Sequence, residues 1–532
     1  MIWKIKNDIV LLRIIMNYRM LNNDEKSMNT KFQTKVNLFY NIITFLINAL
    51  IGLVMPAYLI QKLGISTYSL IPISMSITSF MLVITISING TLSRFLSIDF
   101  NNELEDVNST FSTSLITLVG IFMLLIPFTI YFLIEPNYFL NIESKDIYGA
   151  RILFSAIIAA FVLNTFTSLF NSIAYVKNRI DLRNIALIIN RLGIVVFISI
   201  LFLFDYINVQ AYGIAVLIST VFSFLYSYWT AKKLFPKLRV RISLFDINKF
   251  KNIFALGFWL IINQIGVLLF LQTDILVVNK ILGATESGIY GTILQWSFLI
   301  RAIVGLISGI LGPLILTLYA KEQISKLVEL TQFSTKLLGL FSSLISITII
   351  FFAKDILRVW IGQEFVQYAF LLQIMVVHLG FNLGFSSIIN INIAYNKAKI
   401  PGIITLIIGV INVCMGIAFL MLTNLGLFGI AIGGLIALTL KNLVFTPIYA
   451  AKIMGIDLYT YLRPIGPSIM VLILGILSSY FIKTDDLFIN SYWELFICGA
   501  VFLCFFSFLI LIFFISSKER DFIKQVVFSK TN

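Results

Sequence analysis

Apolar residues run along this chain in long stretches, each closed by a short cluster of Lys, Arg, Asp, Asn or Gly. A stretch of about 20 such residues crosses a ~30 Å hydrocarbon layer as one helix. The pattern predicts fourteen helices. Six come first, at 37–61, 67–93, 111–134, 150–175, 184–204 and 211–231. A basic connector, KKLFPKLRVRISLFDINKFKN at 232–252, precedes eight more, at 253–280, 287–319, 330–353, 365–395, 401–423, 427–451, 462–482 and 493–515. The chain reads as an all-α polytopic membrane protein.

The second half repeats the first at a shift of about 220 residues, as internally duplicated transporters do. IQKLGISTYSL (60–70) matches NKILGATESGIYG (279–291), SIAYVKN (172–178) matches NIAYNKA (392–398), and AYGIAVLIS (211–219) matches LFGIAIGGL (427–435). Six helices, an even number, separate equivalent positions, so both halves insert in the same orientation as a parallel repeat. The expected organisation is a basic tail at 1–35, a six-helix bundle at 36–231, the connector at 232–252, a second six-helix bundle at 253–452, helices 13 and 14 within 453–515, and a tail at 516–532.

Charge orients this arrangement. Of the 39 Lys and Arg residues, Lys62, Lys145, Arg151, Lys280, Lys354, Arg358 and Lys483 fall in segments on one side, and Arg191, Arg301 and Lys441 lie within spans. All the others share the side of the two termini, which the positive-inside rule makes cytoplasmic. The net charge of +14 is then a topology signal and an attraction to anionic lipid, with no call for nucleic acid. In the first 35 residues, Lys4, Lys6, Arg13 and Arg19 interrupt the apolar residues and leave no signal-peptide core. Two readings stand for that tail: a basic amphipathic helix on the membrane, or a translation start that belongs at Met28.

The chemistry available is sparse. Cys414, Cys498 and Cys504 lie in apolar runs and read as small core side chains, and His378 as a buried histidine bonded across helices. No metal-ligand spacing and no Walker-type phosphate loop occur, so neither a metal nor a cofactor is expected. The loops opposite the termini are short and bring no nucleophile, base and orienting group together, so no catalytic residue is assigned.

The stretch TDILVVNKILGATESGIY (273–290) resembles the helix 7–8 signature of polysaccharide flippases, in which an Asp precedes a Leu-Gly and a Gly-x-Tyr follows. KLGISTYSL after helix 1 and AYVKNR after helix 4 are similar to that family too. These are the Wzx-type O-antigen and capsule exporters of the multidrug/oligosaccharidyl-lipid/polysaccharide superfamily, and the resemblance covers residues 36–515. It implies a V-shaped, MATE-like pair of bundles that moves an undecaprenyl-pyrophosphate-linked oligosaccharide across the bacterial cytoplasmic membrane by alternating access, without covalent chemistry. Coupling to an H+ or Na+ gradient is implied, and polysaccharide polymerase and chain-length machinery are the expected partners beside membrane lipid.

Charges inside spans are the site candidates, because a charge at bilayer depth costs at least ~2.5–3.5 kcal/mol and survives beside a cavity or a partner. Arg301, Lys441 and Arg191 are expected to make a cationic central cavity that attracts a pyrophosphate or acidic sugar. Arg94 reads as an interfacial anchor, and the acidic loop at 101–108 as a solvated face. Asp274 is expected to be a paired structural or gating carboxylate, with an ion-coupling site as the alternative. Asn263, Gln264, Gln295, Asn382, Asn390 and Asn412 are candidate polar lining, with interhelical hydrogen bonding as the competing use. Gly305, Gly309 and Gly312–Pro313 serve either bending or close packing. Competing functions are a lipid II flippase, a multidrug exporter or, from another class, a membrane-embedded polymerase or glycosyltransferase.

Overall fold

A computed structural model describes residues 26–100, 104–481, 489–516 and 519–520, and every regular element among them is helical. The expectations for residues 1–25, for Asn101–Glu103 of the acidic loop and for most of the C-terminal tail lie outside the described residues, as does the side chain of Arg94. The first bundle holds α1 (Lys26–Leu63), α2 (Leu70–Asp99), α3 (Leu104–Ile134), α4 (Ile147–Val176), α5 (Ile180–Leu203) and α6 (Val209–Leu234). The second begins with α7, in two segments, Ile247–Leu271 and Thr273–Leu282. It continues with α8 (Ala284–Ala320), α9 (Ile324–Phe351) and α10, which is broken into Ala369–Val377, Leu379–Asn382 and Ile389–Ala394. The last bundle helices are α11 (Lys399–Leu422) and α12, whose segments Leu427–Thr439 and Thr446–Met454 flank a π-helical turn. Then come α13 (Gly466–Phe481) and α14 (Tyr492–Phe513). Among the described residues, thirteen helices are long and apolar enough to cross a membrane outright, and the bent α7 pair, at 45°, supplies a fourteenth.

The duplication is written into the backbone. Gly64 and Gly283 close α1 and α7 at φ +77° and +108°, a region that only glycine enters without strain. Asn178 and Asn396 take left-handed turns at φ 57° and 53° after α4 and α10. Packing repeats as well: α1 lies against α5 as α7 lies against α11, and α4 against α6 as α10 against α12. The α7–α11 crossing brings the two main chains together, since a Cβ on Gly266 would stand 2.7 Å from the Leu406 nitrogen, and one on Gly409 would stand 2.9 Å from the Gly266 carbonyl oxygen. Small residues permit such an approach in lipid, where packing drives association because lipid tails are as apolar as leucine.

The two bundles meet in one shared core, and α7 also packs along α2 and α3 of the first bundle. On the face opposite the termini, a single hydrophobic core takes Leu59, Tyr68 and Leu153 from the first bundle together with Ile275, Tyr290 and Leu371 from the second. On the terminal, basic face the described side chains separate into one cluster around Phe111 and Leu169 and another around Ile315 and Tyr461. Of the acidic stretch, Asp106 and Asn108 in the first turns of α3 are docked: Asp106 forms a 2.9 Å ion pair with Lys249, and Asn108 bonds the main chain of Lys237 and Arg239. This corrects the expectation of a merely solvated face at Asp106 and Asn108.

Other expectations are corrected too. Cys414 and Cys504 are exposed and Cys498 is half-buried, so they are not core side chains; all three are free thiols. His378 is buried, yet its Nδ1 lies 3.4 Å from the Ile374 carbonyl of its own helix, not across helices. α8 runs unbroken through Pro313, and Cβ atoms on Gly305 and Gly309 would meet nothing within 4 Å, so close packing does not explain those two glycines.

These contrasts predict opposite outcomes for two similar changes. Gly266→Ala forces main chain against main chain and lowers the thermal unfolding midpoint of the detergent-purified protein, with a cost on the order of 1–3 kcal/mol. Gly305→Ala fills open space and gains roughly 1 kcal/mol or less of helix propensity. A Gly266→Ala protein that melts with the parent contradicts the close crossing.

Candidate functional site, a cationic cleft between the bundles

Where the arms of the V separate, two adjoining cavities of about 380 and 360 Å³ share Asn164, Asn190, Arg191 and Gln295 in their walls. Met55 and Pro56 of α1 border one of them; Ser76 of α2 and Gln272 of α7 border the other. Arg191 is exposed to this space, and Asn190 is held by a 3.0 Å bond to Thr220. The wall thus combines one cation with several amides, the groups that bond sugar hydroxyls.

A smaller cavity of about 140 Å³ lies inside the second bundle, among α7, α8, α10 and α12. Arg301, Lys441, Asn382, Ser386 and Asn442 supply its polar lining, and Phe270 and Leu438 part of its apolar wall. Lys441 sits 5.7 Å from the centroid of the Phe270 ring, a cation–π contact. The Arg301 Nε and the Asn382 Oδ1 are buried without a hydrogen-bond partner. Among the described residues neither Arg191, Arg301 nor Lys441 has a carboxylate partner, so the positive charge is uncompensated.

The helices around this pocket are irregular where they meet it. Lys441 and Asn442 fall in the π-helical turn Leu440–Phe445, Phe270 and Leu271 directly precede the α7 break at Gln272, and Leu383 and Ser386 belong to a 3-10 turn that interrupts α10. π-turns and interrupted helices in membranes gather where the backbone lines a cavity.

Asp274 stands in the first turn of the second α7 segment, two residues past the break. Its Oδ2 accepts a 3.0 Å bond from the Tyr290 hydroxyl of α8, and its Oδ1 a 3.2 Å bond from the Asn412 amide of α11. Gly434 of α12 borders both, at 3.7 Å from Asp274 and 3.6 Å from Asn412 as measured from its would-be Cβ. The partners are neutral, and Lys280, a few residues on, reaches instead to main-chain carbonyls of the first bundle. The Asn412 Oδ1 takes no hydrogen bond.

The structure therefore places Arg301, Lys441 and Asn382 together in one pocket, and Arg191 and Gln295 together in the cleft. Asn412 serves Asp274, and Asn390 bonds the Ser387 carbonyl. Asn263 and Gln264 lie on α7 but in the walls of none of these cavities. Asn164, Asn190, Ser76 and Gln272 were not foreseen; Asn164 and Asn190 had a usable signal, as amides inside apolar runs.

A family model described as "Polysaccharide biosynthesis protein" matches residues 35–319, more than half of the chain. The chain belongs to the polysaccharide biosynthesis protein family. It is 28% identical over 437 residues to the uncharacterized membrane protein EpsK of Bacillus subtilis (strain 168), covering 81% of this chain and 86% of EpsK. Its fold is shared with the lipid II flippase MurJ in an inward closed conformation, at TM-score 0.64 and 16% identity over 92% of this chain and 99% of MurJ. An inward-facing multidrug resistance MATE transporter of the MOP superfamily matches at TM-score 0.64 and 15% identity, over 79% of this chain and 98% of the transporter. The chain is a multi-pass membrane protein whose fold is shared with a flippase and a multidrug transporter.

An uncompensated cation in a bilayer-depth pocket works against folding. Arg301→Met should therefore raise the unfolding midpoint of the purified polysaccharide biosynthesis protein, by on the order of 1 kcal/mol. A lower midpoint would show that Arg301 is held by a stabilising partner.

Proposed function

We propose that this protein is a flippase for an undecaprenyl-pyrophosphate-linked oligosaccharide, an O-antigen, capsule or exopolysaccharide repeat unit. It carries the unit from the cytoplasmic to the outer leaflet of the bacterial cytoplasmic membrane, with both termini in the cytoplasm. The observation that carries this reading is a pair of cationic spaces without counter-ions among the described residues: the amide-lined cleft with Arg191, and the pocket inside the second bundle with Arg301 and Lys441. A pyrophosphate or acidic sugar gains from that field, and the amides suit glycan hydroxyls. A cationic drug is repelled by it, which disfavours a multidrug exporter. A lipid II flippase would share the attraction, and sugar chemistry alone separates it from the leading reading.

Transport on this reading is alternating access: the joined ends of the bundles part as the basic-face ends close, and no bond of the cargo is made or broken. Asp274 is the point at which an H+ or Na+ gradient couples to that motion, because it is a carboxylate among neutral donors at the break of α7. Polymerase and chain-length machinery would receive the exported units.

Deleting the gene in its host should leave lipid-linked repeat units on the inner leaflet, and an unchanged surface glycan would count decisively against the proposal. In the intact host, Arg301→Ala and Lys441→Ala should each cut surface glycan by roughly tenfold, the effect of losing ~1.4 kcal/mol of binding, with membrane protein levels held. Full export by both variants would remove the cationic pocket of the second bundle from the mechanism.

A further inference from the structure

The face opposite the termini is sealed by a consistent type of contact: side chains of the second bundle grip the main chain of the first. Asn279, near the end of α7 and fully buried, accepts a 2.9 Å bond on its Oδ1 from the Asn141 backbone N–H and donates from its Nδ2 to the Asn141 carbonyl at 3.2 Å. Lys280 donates to the carbonyls of Tyr138, at 2.7 Å, and Asn137. Trp360 donates its indole N–H to the Leu53 carbonyl of α1 at 2.6 Å, and its ring meets Trp296 edge to face. Between these points α8 presses directly on the first bundle: a Cβ on Gly288 would lie 2.5 Å from the Ile65 carbonyl oxygen, and one on Gly291 would lie 3.0 Å from Pro72.

The gripped segment is itself braced. Ser66 donates to Glu143, Thr67 donates to Asp146, and Lys145 pairs with Glu143, which holds the Glu143 carboxyl below the usual carboxylate range. The loop between α3 and α4 thus presents its main chain as a fixed platform. Hydrogen bonds to such a platform are strongest where water is excluded, as at the buried Asn279.

We infer that Asn279, Lys280 and Trp360 form the lock that keeps the cleft sealed on the face opposite the termini, and that its release exposes the cleft there. Asn279 is the key positioning residue of the three, because its amide both accepts from the N–H and donates to the carbonyl of one residue, Asn141. A hydroxyl, a carboxylate or an ammonium cannot do both with this spacing. The inference rests on the alternating-access reading, but not on the identity of the cargo.

The lock reads position 141 by backbone only, since the Asn141 side chain is exposed, and this gives a sharp test. A single thiol is introduced by Met75→Cys, in the cleft wall, after Cys414, Cys498 and Cys504 are replaced by Ala. A membrane-impermeant maleimide is then applied to intact cells. Asn279→Ala should raise labelling severalfold. Asn141→Pro should do the same, because it removes the N–H, and Leu140 already has the extended φ −122°, ψ 160° that a following proline requires. Asn141→Ala should label as the parent does. So should Ser287→Ala, which removes the Asn279 contact made inside the second bundle. Parental labelling with Asn279→Ala, or equal increases with Ser287→Ala and Asn279→Ala, would overturn the lock. If Asn141→Pro does not reach the membrane, the Asn279→Ala and Ser287→Ala pair decides the question. Labelling needs no transported substrate, so a lock that behaves as expected beside unaffected glycan export would reject the cargo and keep the lock.

Discussion

In hydrocarbon a polar backbone group or a charge has no water to fall back on, so a helix can be interrupted, or carry a cation, only where protein or an aqueous cavity supports it. The second bundle concentrates its departures from that rule in one place. The break in α7 at Gln272, the 3-10 turn in α10 and the π-turn in α12 all border the pocket of Arg301 and Lys441. Each alone is a local irregularity. Together they make a region where irregular backbone and uncompensated charge meet. That is the condition under which an anionic cargo contributes binding energy that a regular bundle could not offer.

The duplicated halves differ in how they use this freedom. Both close their first helix with a left-handed glycine, Gly64 or Gly283, and both pack the same helix pairs. Yet α1 crosses its bundle as one continuous helix containing Pro56, whereas α7 breaks and places Asp274 in the new first turn. An N-terminal half-helix dipole favours a carboxylate, so the break and the acid support one another. The first bundle contributes a wide, amide-rich wall with one exposed Arg, and the second a tight pocket with two. A substrate with a compact anionic group and a bulky neutral glycan would find a different half suited to each part.

Much of this was legible in the residues and some was not. Hydropathy located the fourteen spans because the bilayer imposes a length on each, and the repeat was visible because turn glycines and the Tyr-containing loops survive where lipid-facing residues drift. The three bases within spans were legible for an energetic reason: a charge inside an apolar run is expensive. The partner of Asp274 was not. Its bonds come from Tyr290 and Asn412, which lie 16 and 138 residues away and signal nothing special in isolation. The roles of Asn263 and Gln264 could not be told from that of Asn412, since an amide in a span reads alike whichever way its helix turns. The exposure of Cys414 and Cys504 has the same origin, because in a membrane protein apolar residues face outward as well as inward.

The way α7 is fastened links the two ends of the mechanism. Its second segment is tied to the second bundle at Asp274 and to the first bundle at Asn279 and Lys280, fewer than two helical turns away. At the break, the Ser76 hydroxyl of the first bundle donates to Gln272 at 2.8 Å. A short rigid segment held at both ends cannot shift at one without straining the other. Any event that changes what Asp274 accepts from Tyr290 and Asn412 is therefore felt at the Asn141 main chain. Tyr290 itself lies between Gly288 and Gly291, the residues that let α8 approach the first bundle. The carboxylate and the sealed face thus share one ten-residue helix, the structural link that the proposed coupling at Asp274 would use.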